Sequence, residues 1–197
     1  LWVRGSEGAR GGTAILIDKH SKYVTSEGNP KYLAGGRVTI VDATVDGERT
    51  RLASVYAPVA AGERKGFVRK MRSEKLWRKS DLIFGDFNCV PDVNLDVKGN
   101  PDYPNAEGSA TEAVFSDHGL TDVFRLYAGN ERAYSRHGKT VWTRLDRLYA
   151  QKLNSPWRWI GVRYDAALMT GSKASDHAAL IAQLETAPKR EATEVDA

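Results

Sequence analysis

The stretch Asp81-Leu-Ile-Phe-Gly-Asp-Phe-Asn-Cys-Val-Pro91 decides how the rest of this chain is read. Leu82 to Phe84 is a short apolar run bounded by turn residues, the pattern of a buried strand. Gly85 lets the backbone turn without a side-chain clash. Asp86 and Asn88 then leave the end of a rigid strand together, with Phe87 between them turned back into the core. An acid and an amide at the carboxyl end of a strand suit a site that binds a metal or positions water. The same residues also fit an Asx-type turn in a hairpin, and both readings stay open on these residues alone. Cys89 is the single cysteine, so an internal disulfide is excluded and a reducing, intracellular compartment is the simplest expectation. No Cys or His set surrounds it, and it reads as core filler rather than as a nucleophile.

Working outward, Gly11-Gly12 open a strand-like run, Thr13 to Ile17. Asp18 to Tyr32 is polar, contains Gly28-Asn29-Pro30 and reads as a loop. Arg37 to Val45 and Thr50 to Tyr56 are β-branched and alternating, and Asp46-Gly47-Glu48 between them signals a hairpin. Pro58 stops the second strand. Gly62 to Ser80 reads as a helix with Phe67 and Met71 four apart on its apolar face. Pro91 to Asn105 reads as a loop. Ser109-Ala-Thr-Glu112 has the form of a capping box that starts a second helix running to about Ser116, with Gly119 as its stop. Thr121 to Leu126 is a strand or a turn. Tyr134 to Ala150 reads as two strands joined by His137-Gly138-Lys139, the second running from Val141 to Tyr149. A last strand covers Ala178 to Leu184, entered through Ser175-Asp176-His177. Strands outnumber helices and hairpins mix with helical segments, which favours a layered α/β or α+β sandwich over a doubly wound parallel sheet.

The chain has 197 residues, 41% hydrophobic and 27% charged, enough for one core and one domain, placed at 1–185 with a polar tail at 186–197. No window approaches the roughly 20 apolar residues that cross a bilayer. The net charge is +4 and the pI near 9.1, compatible with a polyanionic partner. Arg64, Lys65, Arg69, Lys70, Arg72, Lys75, Arg78 and Lys79 crowd the first helix against one acid, Glu74. That is either a solvated face or a phosphate-facing one. Arg132, Arg136, Lys139, Arg144 and Arg147 form a second basic cluster.

Three acidic positions stand at strand ends or within strands: Asp86 with Asn88, Asp146 between Arg144 and Arg147, and Asp176 with His177. Carboxylates gathered where strand ends meet hold a hard cation through oxygen. A histidine beside a carboxylate is fixed in one tautomer and meets developing negative charge. The set fits metal-assisted phosphoester hydrolysis by an oriented water. Taken singly, Asp176 also fits a turn acid, His177 an edge histidine, and Asp146 a partner for Arg144 or Arg147. The joint expectation is that Asp86, Asn88, Asp146, Asp176 and His177 converge on one cleft.

At these residues the chain resembles the endonuclease/exonuclease/phosphatase superfamily, the DNase I-like fold. It is most similar to the apurinic-type endonuclease domain of non-LTR (LINE-type) retrotransposons. The matching elements are Gly11-Gly12-Thr13-Ala14-Ile15, Tyr56-Ala57-Pro58, Gly85-Asp86-Phe87-Asn88, Ala133-Tyr134-Ser135, Arg144-Leu145-Asp146-Arg147 and Ser175-Asp176-His177, in the family's order. The resemblance implies a four-layer sandwich, two packed mixed β-sheets flanked by helices. It implies that Asp86 helps deprotonate the attacking water and that Asn88 orients water or phosphate. His177 would contact the scissile phosphate, Asp146 hold His177, and Tyr56 hydrogen-bond the phosphate. Asp86 and Asp176 are the expected metal ligands, for Mg2+ with Mn2+ as a substitute. Ser135, where the family often has threonine, and Arg144 are expected at the substrate. The implied partners are DNA and a reverse transcriptase domain of the same polyprotein, with action in the nucleus and no membrane.

The chain departs from the pattern at its start. The family carries an asparagine and a metal-binding glutamate on strands that precede the Gly-Gly element. Here ten residues precede Gly11, and Glu7, between Ser6 and Gly8, is not assigned that role. The expectation is an amino-terminally incomplete domain, with Thr13 to Ile17 as an exposed edge and weak or no turnover by this stretch alone. The competing readings are a superfamily phosphatase acting on inositol phosphates or phospholipids, and a catalytically silent DNA-binding remnant.

Overall fold

A computed structural model describes residues 12–73, 82–151, 157–170 and 175–186. Glu7, Arg78, Lys79, the Arg72 side chain and the tail beyond 186 lie outside the described residues. The main sheet grows from the expected hairpin: β2 (Val38–Val45) pairs antiparallel with β3 (Glu48–Tyr56). Asp46 and Gly47 both take positive φ, 48° and 84°, as a two-residue turn between twisted strands requires. The segment expected as a loop is instead β1 (Val24–Leu33), antiparallel to β2. Its register shifts between Glu27 and Lys31, so Gly28-Asn29-Pro30 forms a bulge in an edge strand, where proline and polar residues are tolerated. Thr13 to Ile17 joins no ladder among the described residues. Thr13 Oγ1 lies 2.7 Å from Thr39 Oγ1, and Ile15 is buried while Leu16 is exposed, so the run is held by side chains.

After β3, helix α1 (Ala61–Ser73) crosses over to β4 (Leu82–Asp86), which runs parallel to β3. The stretch expected as a loop after Pro91 contains a turn of helix, α2 (Val93–Asp96), and a short strand, β5 (Val97–Lys98). Helix α3 (Ala106–Ser116) begins three residues before Ser109. A Cβ at Gly108 would meet the Val90 carbonyl oxygen at 1.8 Å, so the helix starts early to pass tightly over Val90 and Pro91. Ser109 donates to the Pro91 carbonyl and Glu112 accepts from Tyr149, so neither residue caps. Next come β6 (Leu120–Asp122) and α4 (Val123–Ala128), capped by Asp122 through the amides of Phe124 and Arg125.

The Tyr134 to Ala150 region holds three strands, not two: β7 (Arg136–His137), β8 (Trp142–Thr143) and β9 (Asp146–Gln151). The chain leaves one sheet at Arg144-Leu145 and joins another. The six-stranded sheet has the order β1-β2-β3-β4-β9-β6, and β5-β8-β7 form a small second one. Finally β10 (Trp157–Asp165) and, after a turn of helix α5 (Ala167–Thr170), β11 (Ala179–Thr186) pair antiparallel.

One face of the large sheet buries Ile83, Phe87 and Tyr149 against Phe67 and Met71 of α1 and Phe115 of α3. The rings of Phe115 and Tyr149 lie 4.3 Å apart, with Phe87 edge-on to both. Each such fully buried ring contributes on the order of 1.5–3 kcal/mol. Cys89 belongs to this cluster, as expected of core filler. The other face packs Leu52, Leu82 and Leu148 against Trp157 and Val162 of β10 and Leu180 and Leu184 of β11. The six-stranded sheet is thus packed between the β10-β11 pair on one face and helices α1 and α3 on the other. No helix among the described residues is long and apolar enough to cross a membrane.

Candidate active site

The site is set by strand register. Asp86, the last residue of β4, is paired with Tyr56 at the end of β3 and with Asp146 at the start of β9. Alternation from Leu82 and Leu148 puts both carboxylates on the face turned toward β10 and β11. Gly85 makes this possible: its φ is 138°, and a Cβ there would lie 2.0 Å from the Val55 carbonyl oxygen. The strand ends are laced together beyond the ladder. Ala57 N donates to Asp86 O at 2.8 Å and Phe87 N to Leu145 O at 3.0 Å. Asn88 takes the left-handed conformation, φ 50°, that asparagine tolerates. Its N–H donates to Asp86 Oδ1 and its Nδ2 to Ala57 O, each at 2.8 Å. Gly85 to Asn88 thus forms the Asx turn, and that turn also holds Asp86 and Asn88 on one cleft.

His177 arrives just before β11 and is bridged to Arg136 of β7. Residues 135 and 137 run antiparallel to 176 and 178: His137 N donates to Asp176 O, Ala178 N donates to Ser135 O, and Arg136 bridges His177. This places His177 Nδ1 2.8 Å from Asp146 Oδ2, and with a carboxylate acceptor Nδ1 is the donor. Asp146 is in turn fixed through its backbone. Its N–H donates to Ser135 Oγ at 2.9 Å, and Tyr164 donates to its carbonyl at 2.6 Å. Nε2 of His177 lies 4.0 Å from Asp176 Oδ1, and both residues line a cleft with Tyr56, Asp86 and Asn88.

Burial, and then the neighbouring charge of Asp146, push the Asp86 carboxyl up to about 6. The hydrogen bond to Asp146 raises His177 above its ordinary value. Ligand atoms of Asp86, Asp146 and His177 all lie within 4.8 Å of one another. Two carboxylates facing each other in a desolvated corner repel, and a divalent cation relieves that, so the donor set suits a hard metal ion. Asp176 lines the same cleft, but its carboxylate accepts from Arg136 Nε at 2.9 Å and is half exposed.

Two expected substrate contacts are placed elsewhere. Arg144 is fully buried away from the cleft, its Nε 2.6 Å from Asp96 and its Nη1 2.7 Å from Asp122. Ser135 is also fully buried, and its hydroxyl accepts from the amides of Leu145 and Asp146. It holds the site rather than the substrate. Arg147 does not pair with Asp146 either. It stacks over Phe87 and Tyr149 on the opposite face, with Nη2 3.4 Å from Cys89 Sγ. Residues not singled out from sequence also line the cleft: Arg64 of the basic helix, Tyr103 of the loop before α3, and Arg136. Only the basic clusters hinted at the two arginines, and nothing marked Tyr103 or Tyr164.

No protein-family model matches the chain, and no curated protein matches it. Solved structures do. A 3′ phosphatase, NExo, from Neisseria, bound to a product DNA hairpin, superposes with a TM-score of 0.60 at 19% identity. That match covers 76% of this chain and 65% of that one. An AP endonuclease from Archaeoglobus fulgidus gives 0.61 at 16% identity, covering 83% and 79%. The endonuclease domain of TRAS1, a telomere-specific non-LTR retrotransposon, gives 0.55 at 15%, covering 79% and 65%. The chain therefore spans about two thirds to four fifths of these proteins, and at such identities the likeness is one of fold.

Proposed function

We propose that this chain, whose fold is that of the endonuclease/exonuclease/phosphatase superfamily, is a divalent-metal-dependent phosphodiesterase acting on DNA. The observation that carries this reading is the His177–Asp146 pair, 2.8 Å long, set beside the desolvated Asp86. Asp86 and Asp146, with Asp176 on the rim, offer the oxygens that would hold a divalent cation, which when bound neutralises phosphate charge as a Lewis acid. His177, whose protonated form is favoured by the hydrogen bond to Asp146, donates from Nε2 to a non-bridging phosphate oxygen. Asp86, near 6, is mostly ionised at pH 7 yet basic enough to take a proton from the attacking water. Asn88 is anchored through one amide N–H on Ala57, which leaves its carbonyl oxygen and second N–H to orient that water. Tyr56, across the ladder from Asp86, offers its hydroxyl to the phosphate. The water oxygen bonds to phosphorus, one P–O ester bond breaks, and the departing oxygen takes up a proton.

The basic helix and the DNA-directed proteins of like fold support DNA over inositol phosphates or phospholipids as substrate. Nicking of target DNA for retrotransposition, in the nucleus and in one polyprotein with a reverse transcriptase, is the finer reading. The sequence motifs and the likeness to the TRAS1 domain support it. Incubating the full chain with supercoiled plasmid and Mg2+ or Mn2+, with an inositol phosphate in parallel, tests the proposal. Weak nicking by this stretch, absent from the His177→Ala protein, is expected. Phosphate release from inositol phosphate without nicking would replace DNA by the phosphatase alternative, and neither product would leave the silent remnant.

A further inference from the structure

Two cleft residues have no part in that chemistry. Arg64 stands in the first turn of α1, and its guanidinium is drawn onto the cleft wall by the carbonyls of Pro58, at 3.3 Å, and Val59. Its Nε is buried and has no hydrogen-bond partner among the described residues. The other cleft cations are matched: Arg136 by Asp176 and His177 by Asp146. No carboxylate among the described residues pairs with Arg64. Tyr103 reaches in from the loop before α3, with its hydroxyl in the field of Arg64, Arg136 and Asp86. Burial raises its pKa, so it stays an O–H donor.

We propose that Arg64 and Tyr103 form a second anion subsite that binds the phosphate next to the scissile one, so that the cleft selects a polynucleotide over an isolated phosphate. The inference rests on the phosphodiesterase reading. It follows from the order of groups across the sheet. Arg64 hangs on the residues just after Tyr56, at the end of β3, whereas His177 lies over Asp146 at the start of β9. With β4 between them, β3 and β9 are two strand spacings apart, about 9–10 Å. That is farther than one phosphate group spans with hydrogen bonds on both sides, and successive phosphates of one strand bridge it. A guanidinium already tied to two main-chain carbonyls loses little rotamer freedom on binding, and its planar fork matches phosphate oxygens.

The test compares thymidine 5′-monophosphate with thymidine 3′,5′-bisphosphate by titration calorimetry on the full chain with Ca2+, and runs the plasmid assay on the same preparations. The parent should bind the bisphosphate at least about tenfold tighter, the effect of one charged hydrogen-bonded contact. Arg64→Met should bring the two ligands to within a few-fold, and Arg64→Lys should restore part of the gap. Tyr103→Phe, which removes a hydroxyl and nothing else, should narrow the gap by about threefold. It serves as the independent variant should Arg64→Met lower the melting temperature. A bisphosphate preference that survives both substitutions, or its absence in the parent, overturns the subsite. If the preference depends on Arg64 but the parent never nicks plasmid, the catalytic reading falls and the subsite stands. Nicking with an Arg64-independent preference does the reverse.

Discussion

Asp86→Asn should abolish nicking and, in metal-free protein, make the fold more stable at neutral pH. Asp86 is desolvated at the end of β4 and faces Asp146, which takes its pKa from the ordinary 3.8 up to about 6. The folded chain therefore holds this proton more tightly than the unfolded chain does. Stability from that difference is fully present below about pH 4 and is lost as the pH rises through about 6. The interval corresponds to about 3 kcal/mol at 1.36 kcal/mol per pH unit, and partial solvent access at the cleft brings it to about 1–3 kcal/mol. Asparagine keeps the shape and an acceptor for the Asn88 amide, and it does not titrate. For a chain of this size 1 kcal/mol moves the melting temperature by about 2–4 °C. The variant should thus gain about 2–12 °C on the parent between pH 4 and pH 8 in EDTA, followed by circular dichroism. Mg2+ should narrow the gap, because a cation binds and stabilises the ionised parent. A gap that does not change with pH, or a variant that melts below the parent at pH 8, would refute the electrostatic account.

Other outcomes follow from the same geometry. His177→Ala should slow nicking by about a hundredfold or more, the usual cost of a positioned transition-state donor; a loss of only a few-fold would remove His177 from the mechanism. Asp146→Asn should lower the His177 titration in metal-free protein, followed by the imidazole proton shifts, because the raising partner is gone; an unmoved midpoint would break the pair. Ser135→Ala should cut kcat about tenfold with little change in KM, since Ser135 holds the backbone of Asp146 and not substrate, and Ser135→Thr should restore most of it. An effect on KM alone would return Ser135 to the substrate.

What was legible in the sequence was local. Asp46-Gly47 signalled a turn because positive φ at two successive positions leaves few residue choices, and the hairpin formed there. Gly85-Asp86-Phe87-Asn88 was legible because a strand end, a glycine and an Asx turn share one short stretch. What failed needed a partner far along the chain. Val24 to Leu33 looks like a loop because its pairing surface is supplied by β2, and an edge strand carries no apolar stripe to announce itself. The capping box at Ser109 was misleading because the close approach of Gly108 to Val90, invisible locally, lets the helix begin earlier.

The Arg144-Leu145-Asp146-Arg147 motif shows the limit most sharply, since three charged side chains in four residues go three ways. Strand alternation alone separates Asp146 from Arg147: one faces β10, β11 and His177, the other is driven into the face packed by α1 and α3. There no carboxylate among the described residues forms an ion pair with it, and the rings of Phe87 and Tyr149 with the Cys89 sulfur receive it instead. Arg144 precedes the strand, where the chain crosses between sheets, and its two acids, Asp96 and Asp122, belong to α2 and β6. Breaking such a buried pair by removing one partner costs about 3–5 kcal/mol, so Arg144 is bound to the fold and not available to a ligand. Reading both arginines as flanking charges for Asp146 treats them as neighbours in space because they are neighbours in sequence. Asp146 is paired instead with a histidine 31 residues away, which only the meeting of two sheets brings within 2.8 Å.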